Sequence, residues 1–122
     1  MRAVIEASCH CGAVKLQIAE KPERLTSCNC SICRRVGGLW AYYHPSQVAF
    51  VSGQGTTVPY IQGERTLAMH HCPICGCVTH WESIKEEYAD RMGVNARLMK
   101  PDEIADVPVR RFDGAETWTY LD

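Results

Sequence analysis

Eight cysteines in 122 residues, gathered into three tight groups, restrict what this chain can fold into more than any other feature. The groups are Cys9-His10-Cys11-Gly12, Cys28-Asn29-Cys30-Ser31-Ile32-Cys33 and Cys72-Pro73-Ile74-Cys75-Gly76-Cys77. In a secreted miniprotein such a count would read as a disulfide framework. A chain of this length, however, buries roughly two-thirds of its unfolded surface and needs no covalent staples. The opening Met1-Arg2-Ala3-Val4-Ile5-Glu6 meets an acid too early for a secretory apolar segment, so a reducing, cytoplasmic setting is expected. Metal binding is then the better account of the thiols.

Each spacing has a geometric meaning. Cys72-Pro73-Ile74-Cys75-Gly76 sets two thiolates about a tight turn, and the glycine tolerates the positive φ that aims backbone N–H groups at sulfur. Such contacts disperse thiolate charge and support a zinc site. A thioredoxin-like redox pair would open a helix in a βαβ context, which is absent here. One such knuckle supplies two of the four donors of closed tetrahedral zinc. Cys9-His10-Cys11-Gly12, a tight loop at a hairpin tip between the first two strands, is its natural partner. Cys9, Cys11, Cys72 and Cys75 are therefore the expected ligands of a structural metal that contributes directly to folding.

Cys28, Cys30 and Cys33 remain, spaced C-x-C-x-x-C. Three protein ligands with an exchangeable fourth position form the pattern of catalytic zinc. The alternative is a second closed site, completed by Cys77 or a histidine. On the residues alone the two readings stand level. His10 reads as exposed in its loop. His70 and His71 alternate on a strand, so at most one can approach a site. His44 and His80 are candidates for a wall near the metal and no more.

Around the cysteines the chain reads as short strands with turn punctuation. Val14, Leu16 and Ile18 alternate with Lys15 and Gln17, the period of a half-buried strand. Leu39 to His44, Val48 to Val51, Thr56 to Ile61, Arg65 to His71, Val78 to Trp81 and Tyr88 to Val94 are further expected strands, with Pro59 marking an edge or bulge. Helical signal is confined to Ser31–Val36, stopped by Gly37-Gly38, and to Lys100–Ala105. Phe112-Asp113-Gly114 reads as a turn before Trp118 and Tyr120. The expected fold is all-β, with one or two short helices, in one domain spanning residues 1–122. Trp40, Tyr42 and Tyr43 suit either sheet packing or a pocket wall beside the second metal.

Charge narrows the partners. Thirteen Lys and Arg against fourteen Asp and Glu give a net charge of −1. Nucleic-acid binding draws on clustered cations, and the only arginine doublets are Arg34-Arg35 and Arg110-Arg111. No apolar run approaches the roughly 20 residues of a membrane span. A small-molecule partner is expected, with neither nucleic acid nor membrane.

The ordered set Cys9-x-Cys11-Gly12, Cys28-Asn29-Cys30-Ser31-x-Cys33-Arg34 and Cys72-x-x-Cys75-Gly76 resembles the glutathione-dependent formaldehyde-activating enzyme family, which also contains centromere protein V-like proteins. Gly37, Tyr60-x-x-Gly63 and Gly93-Val94-Asn95-Ala96-Arg97 belong to the likeness, which spans about residues 8 to 120. The resemblance implies several small antiparallel sheets around zinc, a β-tent. It implies two zinc ions: a structural one on Cys9, Cys11, Cys72 and Cys75, and a catalytic-type one on Cys28, Cys30 and Cys33 with its fourth position open. The implied activity is that of a carbon–sulfur lyase, in reverse the condensation of formaldehyde with glutathione to S-hydroxymethylglutathione. Glutathione is then substrate or co-substrate, and Arg34, Arg35 and Trp40 are the candidates to hold it. Cys77 stands where many relatives carry a small hydroxyl residue, which keeps the closed second site open as an option. A non-catalytic, zinc-ordered binding module is the alternative function.

Overall fold

A computed structural model describes residues 4–122; Met1, Arg2 and Ala3 of the segment read for a secretory signal lie outside the described residues. Two sheets carry the architecture. The smaller has the order β1-β2-β5, built from β1 (Ile5–Ser8), β2 (Lys15–Ile18) and β5 (Val48–Ser52), all antiparallel. In β2 the alternation holds as expected: Leu16 and Ile18 point inward while Lys15 and Gln17 face solvent. The larger sheet uses β3 (Leu25–Cys28), β4 (Trp40–Tyr43), β6 (Val58–Ile61), β7 (Leu67–His71), β8 (Val78–Ser83), β9 (Met92–Asn95), β10 (Val109–Asp113) and β11 (Thr119–Tyr120). Its order is β11-β10-β3-β4-β9-β8-β7-β6, antiparallel except for the β3–β10 ladder, which is parallel. Two one-turn helices complete it, α1 (Cys33–Val36) and α2 (Pro101–Ile104). The chain is mainly β, and among the described residues no helix is long and apolar enough to cross a membrane.

Several boundaries differ from the sequence reading for local reasons. The strand expected from Thr56 starts at Val58, because the Thr56 N–H and hydroxyl both donate to the Gly53 carbonyl. The strand expected from Arg65 starts at Leu67, since Arg65 has φ 58° and closes a turn on the Gln62 carbonyl. Glu86–Tyr88 is a 3₁₀ turn, and the strand expected from Tyr88 begins only at Met92. Phe112 and Asp113 end β10 instead of forming a turn, which follows them. Leu25–Cys28 and Val109–Asp113 are strands that the residue pattern does not announce, since neither shows a clean alternation. Pro59 lies on β6, the edge strand of the larger sheet, where its missing N–H breaks no inner ladder.

The core lies between the sheets. Ile5, Leu16 and Ile18 from the smaller sheet meet Leu25, Tyr43, Met92 and Val94 from the larger. Burying each large aliphatic side chain contributes about 1.5–3 kcal/mol.

Asn95 explains why the Gly93–Arg97 run matters. Its side chain is buried, accepts from the N–H groups of Leu39 and Arg97, and donates to the Val78 carbonyl at 2.9 Å. One amide thus ties together the entry of β4, the start of β8 and the 3₁₀ turn Ala96–Leu98. Arg97 in turn donates from Nε to the Gly37 carbonyl at the end of α1. Because Asn95→Ala leaves buried partners unpaired, it should cost about 2–4 kcal/mol. Chemical denaturation checks this; a midpoint unchanged from the parent contradicts the assignment.

Candidate functional site

The first and third cysteine groups come from different sheets and meet. Cys9 follows β1, and Cys72 to Cys75 fill the turn between β7 and β8. The N–H of Cys9 donates to the Val14 carbonyl at 3.0 Å, and the N–H of Val14 donates back to the Cys9 Sγ at 3.3 Å. In the other loop the N–H of Ile74 donates to Cys72 Sγ at 3.4 Å, and Gly76, at φ 81°, closes the turn through the Cys72 carbonyl. Sulfur therefore accepts backbone N–H groups in both loops, as the spacing implies.

Cys9, Cys11, Cys72 and Cys75 place their sulfur atoms within 4.8 Å of one another. Cys11 Sγ lies 3.7 Å from both Cys9 Sγ and Cys72 Sγ. A disulfide needs about 2.05 Å, and all eight cysteines are free. Zinc–sulfur bonds of about 2.3 Å give a tetrahedron whose edge is about 3.8 Å. The spacing therefore fits a metal and not a bridge. The N–H of Cys77 and then that of Cys11 hold the Cys75 thiol down to about 5, against the opposing cost of burial. A thiolate is the form that ligates.

Cys28, Cys30 and Cys33 form a second group at the end of β3 and the start of α1. The N–H of Cys30 donates to Cys28 Sγ at 3.5 Å, and that of Cys33 to Cys30 Sγ at 3.4 Å. The Cys33 thiol serves Cys28 as a donor and, with the Cys30 N–H, brings Cys28 down to about 6 despite burial. Cys33 moves in the opposite direction: its contact with Cys28, then burial, pushes its thiol well up. Three sulfurs this close cannot all ionise without a cation, which is again the chemistry of a metal donor set.

A hairpin holds this loop. Asn29 Nδ2 donates to Asp113 Oδ1 at 3.0 Å, and Asn29 Oδ1 accepts from the Ala115 N–H. The other Asp113 oxygen accepts from the N–H and hydroxyl of Thr117. Gly114 lies directly over the cysteines: a Cβ there would come 2.7 Å from Cys28 Sγ and 3.2 Å from Cys30 Cβ. Asn29 belongs to the second cysteine motif, but Asp113 and Gly114 do not stand out in the sequence as part of a site, because they lie more than eighty residues further along the chain. Tyr42 is near as well. Burial of its hydroxyl end is the main cause that raises its phenol above the ordinary range.

Other expected residues fall as follows. Arg34 and Arg35 are exposed on α1, and Arg35 Nη1 donates to the Ser31 carbonyl at 2.7 Å. Trp40 is only 1% exposed, its ring lies against Gly38, and its indole N–H has no partner among the described residues. Cys77 packs with Cys9, Val14 and Cys72 at the first cluster. Among the described residues the second group contains three donors and neither Cys77 nor a histidine. His44 caps the 3₁₀ turn Pro45–Gln47, and His10 is exposed.

With this geometry in place, comparison with known proteins decides the family. The sequence profile described as "Glutathione-dependent formaldehyde-activating enzyme" matches residues 4–112. The chain belongs to that family. A crystal structure of a Rhodobacter sphaeroides protein from a structural-genomics programme is similar, with a TM-score of 0.69 and 29% sequence identity. The match covers 85% of this chain and 98% of that one. No curated protein sequence matches. Family members are named for a glutathione-dependent reaction with formaldehyde, and the cysteine groups of this chain could hold metal.

Two substitutions test the site. Cys72→Ser removes a donor from the four-sulfur group and should abolish cooperative unfolding in a thermal melt; a melt equal to the parent contradicts a structural metal there. Gly114→Ala forces the hairpin off the loop and should cost about 1–3 kcal/mol. Its cysteine-bound metal content, measured by mass spectrometry, should fall at one site only.

Proposed function

We propose that the protein is a zinc-dependent carbon–sulfur lyase acting on a small thiol adduct, with S-hydroxymethylglutathione the best candidate. The observation that carries this reading is the contrast between the two cysteine groups. Four sulfurs gather at Cys9, Cys11, Cys72 and Cys75, and three at Cys28, Cys30 and Cys33. The first set suits a closed, structural zinc; the second suits zinc with one position left for substrate.

Zinc held by Cys28, Cys30 and Cys33 would supply a position at which a thiol ionises near neutral pH. In the condensing direction the thiol gives up its proton, its sulfur bonds to the aldehyde carbon, and the carbonyl oxygen takes up a proton. In the lyase direction the hydroxyl gives up its proton as the carbonyl re-forms, the carbon–sulfur bond breaks, and the departing sulfur takes up a proton. Tyr42, held protonated beside the cysteines, is an O–H donor and not a base. Arg34 and Arg35 follow Cys33 immediately and form no ion pair among the described residues. A guanidinium so placed suits the carboxylates of a tripeptide thiol. Trp40, buried at 1% exposure, would act through packing and not by touching the thiol.

The test follows condensation of labelled formaldehyde with glutathione by NMR. Cys30→Ser should remove catalysis while the melt stays near that of the parent. Arg34→Ala with Arg35→Ala should raise the KM for glutathione about tenfold, the scale of one lost charged contact, and change kcat little. Parental rates in Cys30→Ser would overturn the reading.

A further inference from the structure

On the hairpin whose tip carries Cys72 and Cys75, β7 and β8 bring together a further group, His70, His80 and Glu82. His70 and His80 are register partners, and Glu82 lies two residues further along β8, on the same face. The extra residue at the register shift, Thr79, sits just before His80, where a bulge re-aims side chains. The two imidazoles stack with ring centres 4.6 Å apart and an interplanar angle of 7°. Both Nε2 atoms converge on one carboxylate: His80 Nε2 is 3.0 Å from Glu82 Oε1, and His70 Nε2 is 3.8 Å from Oε2. One ligand atom from each residue lies within 4.8 Å of the others.

The far side of each ring is also occupied. His70 Nδ1 is 2.8 Å from the Thr57 hydroxyl, and His80 Nδ1 is 2.8 Å from the Thr79 hydroxyl. The Thr79 hydroxyl donates to the His70 carbonyl at 3.4 Å. With its one proton used there, it accepts from Nδ1–H of His80. The Nε2 atoms of both rings are then the ones that face the carboxylate, where a bound cation would be shared between ring nitrogen and oxygen. A partner on the outer nitrogen of each ring is the arrangement that fixes metal-ligating histidines.

The cluster is reachable. His80 is buried against Phe50, but the Glu82 side chain is 47% exposed. Glu82, Phe50 and Met92 line a cleft of about 530 Å³ beside β5 of the smaller sheet.

We propose that His70, His80 and Glu82 form a metal site for a zinc-class divalent ion, separate from the cysteine groups and open to this cleft. Two imidazoles and one carboxylate suit zinc, cobalt or ferrous iron, whereas magnesium and calcium take oxygen donors. Three protein donors leave a position for water or a small ligand arriving from the cleft.

Zinc binding to the full chain, already loaded at its cysteines, tests this by calorimetry, with long-range ¹⁵N NMR of the histidine rings. The parent should take up one further zinc, and the Nε2 signals of His70 and His80 should move. Glu82→Gln, a change at a half-exposed side chain, should weaken that uptake at least tenfold and leave the thermal melt near parental. His70→Gln should do the same; if it fails to fold, Glu82→Gln alone carries the result. No zinc uptake beyond the cysteines, or uptake equal in parent and Glu82→Gln, would overturn the proposal. The group would then be a proton-bridged histidine–carboxylate contact.

Discussion

The meeting of four sulfur atoms from two sheets is the constraint on which the rest of the structure depends. Cys9 and Cys11 sit at the tip of the β1–β2 hairpin, and Cys72 and Cys75 at the tip of the β7–β8 hairpin. Between them the sulfurs approach to 3.7 Å in a region where Cys9 and Cys72 are buried. Four thiolates placed so closely would repel, and four thiols would give little cohesion. A cation there would resolve both difficulties, and its binding energy would become folding energy. Such a cation would join the two sheets that enclose the apolar core.

The second cysteine group is supported differently. Its loop is fixed from outside, by Asn29 on Asp113 and by Arg97 on the end of α1. Gly114 closes over Cys28 and Cys30 without a side chain to collide with them. Support of this kind holds three sulfurs in place while contributing no fourth donor. On the function proposed above, the first group would hold the fold and the second would meet a ligand.

Much of this is legible in the sequence. The C-x-C-G and C-x-x-C-G spacings state their own loop geometry, so Cys9, Cys11, Cys72 and Cys75 pair on spacing alone. The alternation in β2 likewise declares its buried face. Contacts between residues distant in the chain are another matter. The parallel β3–β10 ladder brings the Asp113 hairpin to Cys28, and nothing local announces it. Cys77 lies two residues after Cys75, yet its position beside the first cluster depends on how β8 leaves the turn. In the sequence His80 is a candidate wall near a metal, and His70 is one of two histidines of which at most one can approach a site; only the register that makes them partners, with a shift at Thr79, reveals the convergence on Glu82. Strand starts are misplaced for a simpler reason: Thr56 and Arg65 satisfy turn carbonyls ahead of the ladder.

The central claim is that one cysteine group is closed and the other open. Cobalt substitution tests it most directly, because bands of tetrahedral cobalt thiolates respond to every change of donor. The account predicts that millimolar glutathione shifts the bands of the cobalt lost in Cys30→Ser and leaves those of the other unchanged. Bands of both metals that stay fixed on adding glutathione would contradict it.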